Sequence, residues 1–316
     1  MQKKITVTGA NKVYFTVLAV FITISVFIGI LGGIIGKDIT DDYFYFTIVF
    51  TQFVLILLPV LIYIFKKKLD AREVLRINKL ELLPAALIVL LAIPAIFASI
   101  MFNSIAIYLI QFIGNVPNDP IPVPQTIFQL IIGVGVVGIA PAICEEALHR
   151  GVLLKAYERR GSIKAVFISA IMFGFFHFDV TNFLSPIFLG ILIGYYVLRT
   201  NSIFAGVLAH FLHNSILEVI GYIYRDEATP SKVSISNMEL IQSIFFGIFA
   251  LIIILLLLKV FKRVTENSAR ITPPISSTGN DVKSILSHWP IIVSLILYVL
   301  ITGISILDMV ISKLIN

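Results

Sequence analysis

Two adjacent glutamates, Glu145 and Glu146, lie in the middle of a strongly apolar stretch, and Arg150 follows four residues after the second. Placing a carboxylate at the centre of a bilayer costs about 2.5–3.5 kcal/mol on insertion scales, so such a residue by default marks a functional site that faces a cavity. A carboxylate in a low-dielectric pocket can take a proton from water as a general base. A helical ion pair between Glu146 and Arg150 is the simpler interpretation, and it leaves Glu145 unexplained.

Two further motifs supply imidazoles and an amide. Phe173 and His177 are four residues apart, and so are His210 and Asn214. Each pair therefore shares one face of a helix. An imidazole can share a proton with a water molecule, and imidazole and amide N–H groups can donate to a tetrahedral oxyanion. Taken singly, either histidine would be interpreted as an ordinary core residue, but together with the glutamates they are what peptide hydrolysis needs.

Composition assigns these motifs to a membrane protein. Hydrophobic residues make up 58% of the chain and charged residues only 13%, against about 25% charged residues in soluble domains. We therefore predict an all-α fold, a polytopic transmembrane helical bundle. The single cysteine, Cys144, excludes an internal disulfide framework and most cysteine-based metal sites. The net charge of +6 arises from basic residues beside the apolar runs, which indicates membrane topology and not nucleic-acid binding.

Nine apolar segments predict about eight to nine spans. They are Val13–Gly36, Tyr43–Phe65, Pro84–Ile113, Gln125–Glu158, Lys164–Phe178, Phe183–Leu198, Ile203–Ile223, Met238–Val260 and Ile291–Val310. We divide the chain into N-terminal spans (1–122), a motif-bearing core (123–224), an eighth span (225–262), and a polar linker with the last span (263–316). The linker, Val264 to Ser287, is predicted to be a disordered cytoplasmic loop.

The charged loops predict an orientation. One set is basic: Lys66–Lys68, Arg159–Arg160, Arg199 and Lys259–Arg263. The other set is acidic or polar: Asp38–Asp42, Asn118–Asp119, Asp179 and Asp226–Glu227. Lysine and arginine mark the cytoplasmic side. We therefore expect the N-terminus inside and, after nine spans, the C-terminus outside, in a bacterial plasma membrane.

The fourth segment is too long for one straight crossing at 1.5 Å per residue. A hydropathy window alone would choose Ile127 to Cys144 and leave the glutamates at the surface. We instead predict a span from Gly138 to Glu158, with Pro141 kinking or starting it.

Counting along the helices brings the motifs to one level of the membrane. The glutamate pair and His177 lie about 15 and 16 residues on either side of the turn at 159–162, or roughly 20–25 Å from it. His210 and Asn214 come about 9 and 13 residues after the next turn, at 199–202, or roughly 13 and 20 Å away. Polar groups from three helices are therefore expected to meet in one slab.

Other polar and small residues have plainer interpretations. His149 and His213 fall outside this pattern and are taken as structural, and His288 is taken as an interfacial residue. Gly190 and Gly194 are four apart, which predicts close helix packing.

In this order, the three motifs resemble those of the CAAX protease and bacteriocin-processing (CPBP, also called Abi) family of intramembrane proteases. They are Glu145-Glu146-x-x-x-Arg150, Phe173-x-x-x-His177 and His210-x-x-x-Asn214. The resemblance covers about Gln125 to Tyr224 and implies a CAAX-protease-like core.

The resemblance implies an intramembrane endopeptidase that acts on a peptide or membrane-protein substrate within the lipid bilayer. It implies that Glu145 and His177 activate a water molecule and that His210 and Asn214 stabilise the oxyanion.

The remaining motif positions, Glu146, Arg150 and Phe173, would support the site. The first two would hold it in shape and could meet a substrate carboxylate. The substrates implied are prenylated Cys-a-a-X proteins, and leader-type peptides or membrane-anchored regulators fit equally well. The resemblance leaves the oligomeric state open.

Alternatives remain at this stage. Glu145, His177 and His210 could hold zinc with an open position for water. The chain lacks His-Glu-x-x-His, so we expect a metal-free glutamate mechanism with no cofactor. A transporter or proton relay would also use intramembrane glutamate and histidine, but no repeat of broken helices is visible. A non-catalytic scaffold or bacteriocin immunity-type protein could keep the same fold.

Overall fold

The computed structural model describes residues 3–36, 43–118, 121–225 and 232–315. Within these ranges the chain forms eleven helices and one short antiparallel ladder, in which Val116 pairs with Val233. The helices are α1 (Val7–Ile35), α2 (Phe44–Lys66), α3 (Ala71–Val74), α4 (Leu82–Ile110), α5 (Ile127–Arg160), α6 (Ser162–Phe176), α7 (Leu184–Thr200), α8 (Ile203–Ile223), α9 (Asn237–Val264), α10 (Thr278–Leu286) and α11 (Trp289–Ile315). The strands are β1 (Val116–Pro117) and β2 (Lys232–Val233). The prediction of an all-α polytopic bundle is confirmed.

Each of the nine predicted apolar segments corresponds to a helix, but they differ in length. In the described part of the chain, seven helices are long and apolar enough to cross a membrane: α1, α2, α4, α5, α8, α9 and α11. The apolar helices α6 and α7 are shorter, with 15 and 17 residues. At 1.5 Å per residue they measure about 22 and 25 Å, less than the roughly 30 Å of a hydrocarbon core. The loop joining them therefore lies within the depth of the bilayer when their other ends lie at its surface.

The α6–α7 hairpin is held together by small residues, as the sequence predicted. A Cβ atom at Gly190 would lie 3.0 Å from Ala170 Cα, and one at Gly194 would lie 3.1 Å from Val166 Cγ1. Both distances are shorter than ordinary van der Waals contact, so a larger residue at either position would push the two helices slightly apart.

Helix α5 corrects the predicted fourth span. It does not begin at Gly138 but runs unbroken from Ile127 to Arg160, so that Pro141 lies inside it. A π-helical turn at Val134–Ile139 precedes the proline, and a second one covers Ala147–Leu153. Proline cannot donate to the carbonyl four residues earlier. A wider turn beside it lets the helix continue where a regular α-helix would break.

The basic loops meet at one end of the bundle. Arg76, after α3, forms an ion pair with Glu158 at the end of α5 and donates to Asn201 Oδ1 at 2.9 Å. Arg199 at the end of α7 donates to Thr265 Oγ1 at 2.9 Å, just after α9. We call this the basic end.

The opposite end is joined by separate contacts: the Val116–Val233 pair, Gln111 with Ile235, and Asn115 with Ser312. Of the predicted acidic loops, Asp38–Asp42, Asp119 and Asp226–Glu227 lie outside the described residues.

The prediction of a disordered linker is wrong. Ser162 N donates to Thr272 O at 3.1 Å, and α10 begins with a cap in which Ser277 Oγ accepts from Asn280 N. Asp281 in α10 is 2% exposed and binds Arg160 and Lys164, each at 2.7 Å. The polar composition of this segment resembles a linker, but its polar groups are paired with the turn between α5 and α6.

Candidate active site

A cavity of about 360 Å³ lies among α2, α4, α5, α6, α7 and α8. All four side chains predicted to be catalytic line it: Glu145, His177, His210 and Asn214. They come from α5, from the end of α6 and from α8, so the structure brings the polar groups of three helices together as the depth count predicted.

Glu145 is held by a residue that carries no motif. Gln52 Nε2 in α2 donates to Glu145 Oε1 at 2.8 Å, and both side chains are 7% exposed. Gln52 lies in a π-helical turn, Thr51–Leu57. Such turns are frequent at functional sites. This hydrogen bond occupies one carboxylate oxygen and leaves the other for water or substrate.

His177 is fixed in one tautomer. It caps α6, and its Nδ1 lies 2.8 Å from the carbonyl oxygen of Phe173. A carbonyl oxygen can only accept, so Nδ1 carries the proton. In the neutral ring Nε2 then has a free lone pair on the side of the cavity, and it can accept a proton from water.

Glu146 forms the centre of a buried charge cluster. Its Oε1 accepts from Arg150 Nη1 and lies 3.0 Å from His210 Nδ1. Arg150 also donates to Gly190 O at 3.2 Å and lies 4.7 Å from the Phe173 ring centroid. The ion pair between Glu146 and Arg150, which was the simpler interpretation of this motif, is present in the structure. The same carboxylate oxygen orients the ring of His210.

Two members of this cluster, Glu146 and Arg150, do not face the cavity. Glu146 and Arg150 are completely buried, and neither lines the cavity wall. The placement argues against the expectation that they could meet a substrate carboxylate. The close approach of α8 depends on Gly206, where a Cβ atom would lie 2.7 Å from Glu146 Oε2.

Asn214 bridges α8 to the proline in α5. Its Nδ2 donates to Val137 O at 3.1 Å. Val137 is the residue four before Pro141, so its carbonyl is the one that the proline nitrogen cannot reach. The amide nitrogen carries two hydrogens. One is used on α5, and the second can point into the cavity.

Several cavity-lining residues were not predicted: Gln52, Ser99, Asn103, His213 and Glu218. Ser99 and Asn103 are four apart within α4, and Glu218 follows Asn214 by four. Polar residues on one face of an apolar helix are a signal that could have been used.

The two histidines interpreted as structural differ from one another. His149 is completely buried, and its Nδ1 lies 2.9 Å from the carbonyl oxygen of Glu145. This fits the prediction. His213 instead lines the cavity, and within the described residues its Nδ1 has no hydrogen-bond partner.

The side chains considered as zinc ligands do not converge as placed. Among the described residues, no three histidine, cysteine, aspartate or glutamate side chains lie close enough together to hold a metal ion. One oxygen of Glu145 is bound to Gln52, and His177 is bound through Nδ1 to a carbonyl.

Comparison with known proteins agrees with the motifs. Residues 124–216 match a family model described as type II CAAX prenyl endopeptidase Rce1-like. No curated protein and no solved structure matches the chain. The match contains every predicted site residue, from Glu145 to Asn214, and ends two residues beyond the last. The core of this chain, residues 124–216, is therefore similar to the Rce1-like type II CAAX prenyl endopeptidases, in agreement with the resemblance that the three motifs carry.

Proposed function

We propose that this protein is an intramembrane endopeptidase that hydrolyses a peptide bond with a water molecule activated by Glu145 and His177. The observation that carries the proposal is the shared cavity, which four motif side chains line from three helices. A peptidase family match over the same residues supports it.

In the first step, Glu145 takes a proton from a water molecule that also donates to His177 Nε2. The water oxygen then attacks the carbonyl carbon of the scissile bond. A carboxylate with one oxygen held by Gln52 keeps its orientation during this step, which lowers the entropic cost of reaching the transition state.

In the second step, His210 and Asn214 stabilise the tetrahedral oxyanion. His210 Nδ1 is directed at Glu146, so Nε2 can donate only when the ring carries both protons. The carboxylate of Glu146 balances the resulting charge. Asn214 donates its second amide hydrogen. Each such donor contributes about 3–4 kcal/mol in well-studied hydrolases.

In the last step, the C–N bond breaks and the proton taken from water passes to the leaving amine nitrogen. The products are a carboxylic acid, which keeps the second hydrogen of the water, and a free amine, so atoms and charge balance without a co-reactant. We favour this metal-free mechanism. Retained activity after exhaustive chelation, with no zinc in the purified protein, is the result expected, and loss of activity that zinc restores would favour a metalloprotease.

The proposed substrate is a segment of a membrane-associated protein. A segment of a membrane-associated protein, whether prenylated or leader-type, could reach a cavity within the bilayer. We also propose that the protein resides in a bacterial plasma membrane with its N-terminus in the cytoplasm, because the basic loops gather at one end of the bundle.

The test is Glu145→Gln, compared with wild type by the peptides released from membranes. The amide oxygen can still accept from Gln52, so the variant removes the general base and not the hydrogen bond. Glu81→Gln is a matched control, since Glu81 is exposed and its side chain makes no capping hydrogen bond. We expect released peptides to disappear in Glu145→Gln alone. A biological activity that survives this change intact would favour a non-catalytic scaffold.

A further inference from the structure

A second cleft, of about 670 Å³, lies between the start of α1 and the end of α2, away from the catalytic cavity. Its described lining residues include no aspartate or glutamate and four exposed lysines, Lys3, Lys4, Lys12 and Lys67. We call it the lysine cleft. Within the described part of the chain, none of the four ammonium groups forms an ion pair or a hydrogen bond. Their positive charges are therefore available to a ligand.

The segment before α1 is packed against the bundle, and this holds the first two lysines beside the cleft. Ile5, directly after them, is 5% exposed and belongs to the main hydrophobic core. Thr6 caps α1, with its Oγ1 accepting from Gly9 N at 3.1 Å. The first turn of α1 rests on α2, since a Cβ atom at Gly9 would overlap Tyr63 Oη. The lysine cleft is therefore shaped by the fold and not by a free chain end.

The lining of the lysine cleft changes with depth in the membrane. On α1, Val13 and Thr16 lie about 9 and 14 Å from the first residue of the helix, and both line the cleft. On α2, Pro59 and Ile62 lie about 11 and 6 Å before its last residue and line the opposite wall. Lys12 lies at an intermediate depth, from which its long side chain can reach the surface. Ammonium groups at the surface are therefore followed by mainly apolar side chains below.

This arrangement is the complement of a lipid with a negative head group. Lysine binds phosphate as a point charge, and clusters of basic residues at a membrane surface attract anionic lipids. A soluble phosphate would use the lysines and leave the deeper apolar walls uncovered. A phospholipid presents its phosphate and its hydrocarbon chains at the two depths that the lining requires. A zwitterionic lipid also brings a cationic group, which four lysines with no acid beside them would repel.

We propose that the lysine cleft binds an anionic phospholipid from the leaflet at the basic end. The phosphate lies among the four lysines, and an acyl chain lies against the apolar side chains of α1 and α2. The lipid contacts both helices at once, so its binding stabilises the folded protein. The inference does not depend on the proposed peptidase activity, because it concerns a different part of the molecule and is tested by binding alone.

The test measures ligand binding to the purified protein in an uncharged detergent by native mass spectrometry. Phosphatidylglycerol, phosphatidylcholine with the same acyl chains, and water-soluble glycerol 3-phosphate are titrated separately. Lys12→Gln/Lys67→Gln removes two charges from the lysine cleft. The matched control is Lys66→Gln/Lys259→Gln, which removes two exposed charges near the ends of α2 and α9 but outside the cleft.

We expect wild type to bind its first phosphatidylglycerol about tenfold more tightly than phosphatidylcholine, with a higher unfolding temperature when the anionic lipid is bound. Lys12→Gln/Lys67→Gln should bring the two affinities close together, whereas the control pair should keep the preference. Equal binding of the two lipids by wild type would overturn the inference. An equal loss of preference in both variants would also overturn it, since it would show only a general attraction to the basic end. Binding of glycerol 3-phosphate as tight as that of phosphatidylglycerol would identify a site for a soluble phosphate instead of a lipid.

Discussion

At the scale of single residues, one carboxylate oxygen organises the buried charges. Glu146 Oε1 contacts both Arg150 and His210, and Glu146 and Arg150 are completely buried. A buried ion pair adds little over an apolar pair, yet removing one partner costs about 3–5 kcal/mol because the other charge is stranded. The pair therefore matters less for net stability than for holding the ring of His210.

Arg150→Met should lower the unfolding temperature sharply, because Glu146 would keep its charge without the guanidinium that balances it. The double variant Glu146→Gln/Arg150→Met should be more stable than Arg150→Met alone and still inactive, since His210 loses its carboxylate. Thermal unfolding in nanodiscs measures the stability of the single and the double variant. Equal instability of the single and double variants would show that the stranded charge is not the cause.

The motif residues could be predicted because their order and spacing repeat a known pattern within apolar helices. Gln52 could not, since its helix carries no motif. Ser99 and Asn103 mark a polar face of α4, but local sequence does not reveal that this face adjoins the core. Glu218 could have been predicted from the sequence, because it shares a helix face with Asn214.

At the scale of helices, Pro141 and Asn214 act as a pair. The proline withholds a donor from α5, and the amide on α8 supplies one to the Val137 carbonyl at 3.1 Å. An unsatisfied buried carbonyl costs about 1–3 kcal/mol. The contact therefore fixes both the path of α5 beside the glutamates and the orientation of Asn214.

We expect Asn214→Ala to destabilise wild type more than it destabilises Pro141→Ala, in which a backbone N–H can again reach Val137. The coupling in this double-mutant cycle should fall between about 0.5 and 3 kcal/mol. Urea or thermal unfolding of wild type, the two single variants and the double variant gives this coupling energy. Additive effects would mean that the proline and the amide act independently.

The existence of the helices followed from hydropathy, whereas the path of α5 did not. A proline inside an apolar run normally indicates a break or a start. Here two π-helical turns carry the helix through 34 residues. The prediction of a disordered linker was wrong because local sequence does not show the long-range partners of its polar groups. Its stability comes from Arg160 and Lys164, which lie far away in the sequence.

At the scale of the whole molecule, α10 ties the last helix to the α5–α6 turn. Burial alone would raise the pKa of Asp281. Hydrogen bonds from Lys164, Ser276 and Arg160 outweigh burial and hold the pKa below its ordinary value of 3.8. The ionised carboxylate therefore contributes stability that is fully present above about pH 4 and is lost as pH falls through the folded pKa.

Asp281→Asn should lower the unfolding temperature by a constant amount between about pH 8 and pH 5, with the difference narrowing below about pH 4 as the unfolded wild-type chain begins to take up a proton at Asp281. Glu266→Gln is a matched control, because Glu266 is an exposed acid in the same linker. An unfolding difference that grows as the pH falls would contradict this account of the Asp281 cluster.

The cavity lies away from the basic end of the bundle, and this sets the side from which substrates reach it. The lysines of the N-terminus, Lys3 and Lys4, share one pocket with Lys67 at the basic end. The catalytic cavity is lined instead by Asn182, in the loop that joins the far ends of α6 and α7. If basic residues mark the cytoplasm, substrates reach the cavity from the opposite side.

Cysteine labelling tests this orientation directly, because the chain has one cysteine and it is buried. In a Cys144→Ala background, a membrane-impermeant maleimide added to intact cells should label Ser234→Cys, an exposed position just after β2 at the end opposite the basic end, and not Lys67→Cys. Both should react after lysis, which controls for accessibility. The reverse pattern would place the basic end outside and open the cavity to the cytoplasm. The position of the cavity relative to the basic end is the same in both orientations. The labelling pattern therefore decides which compartment supplies the substrate.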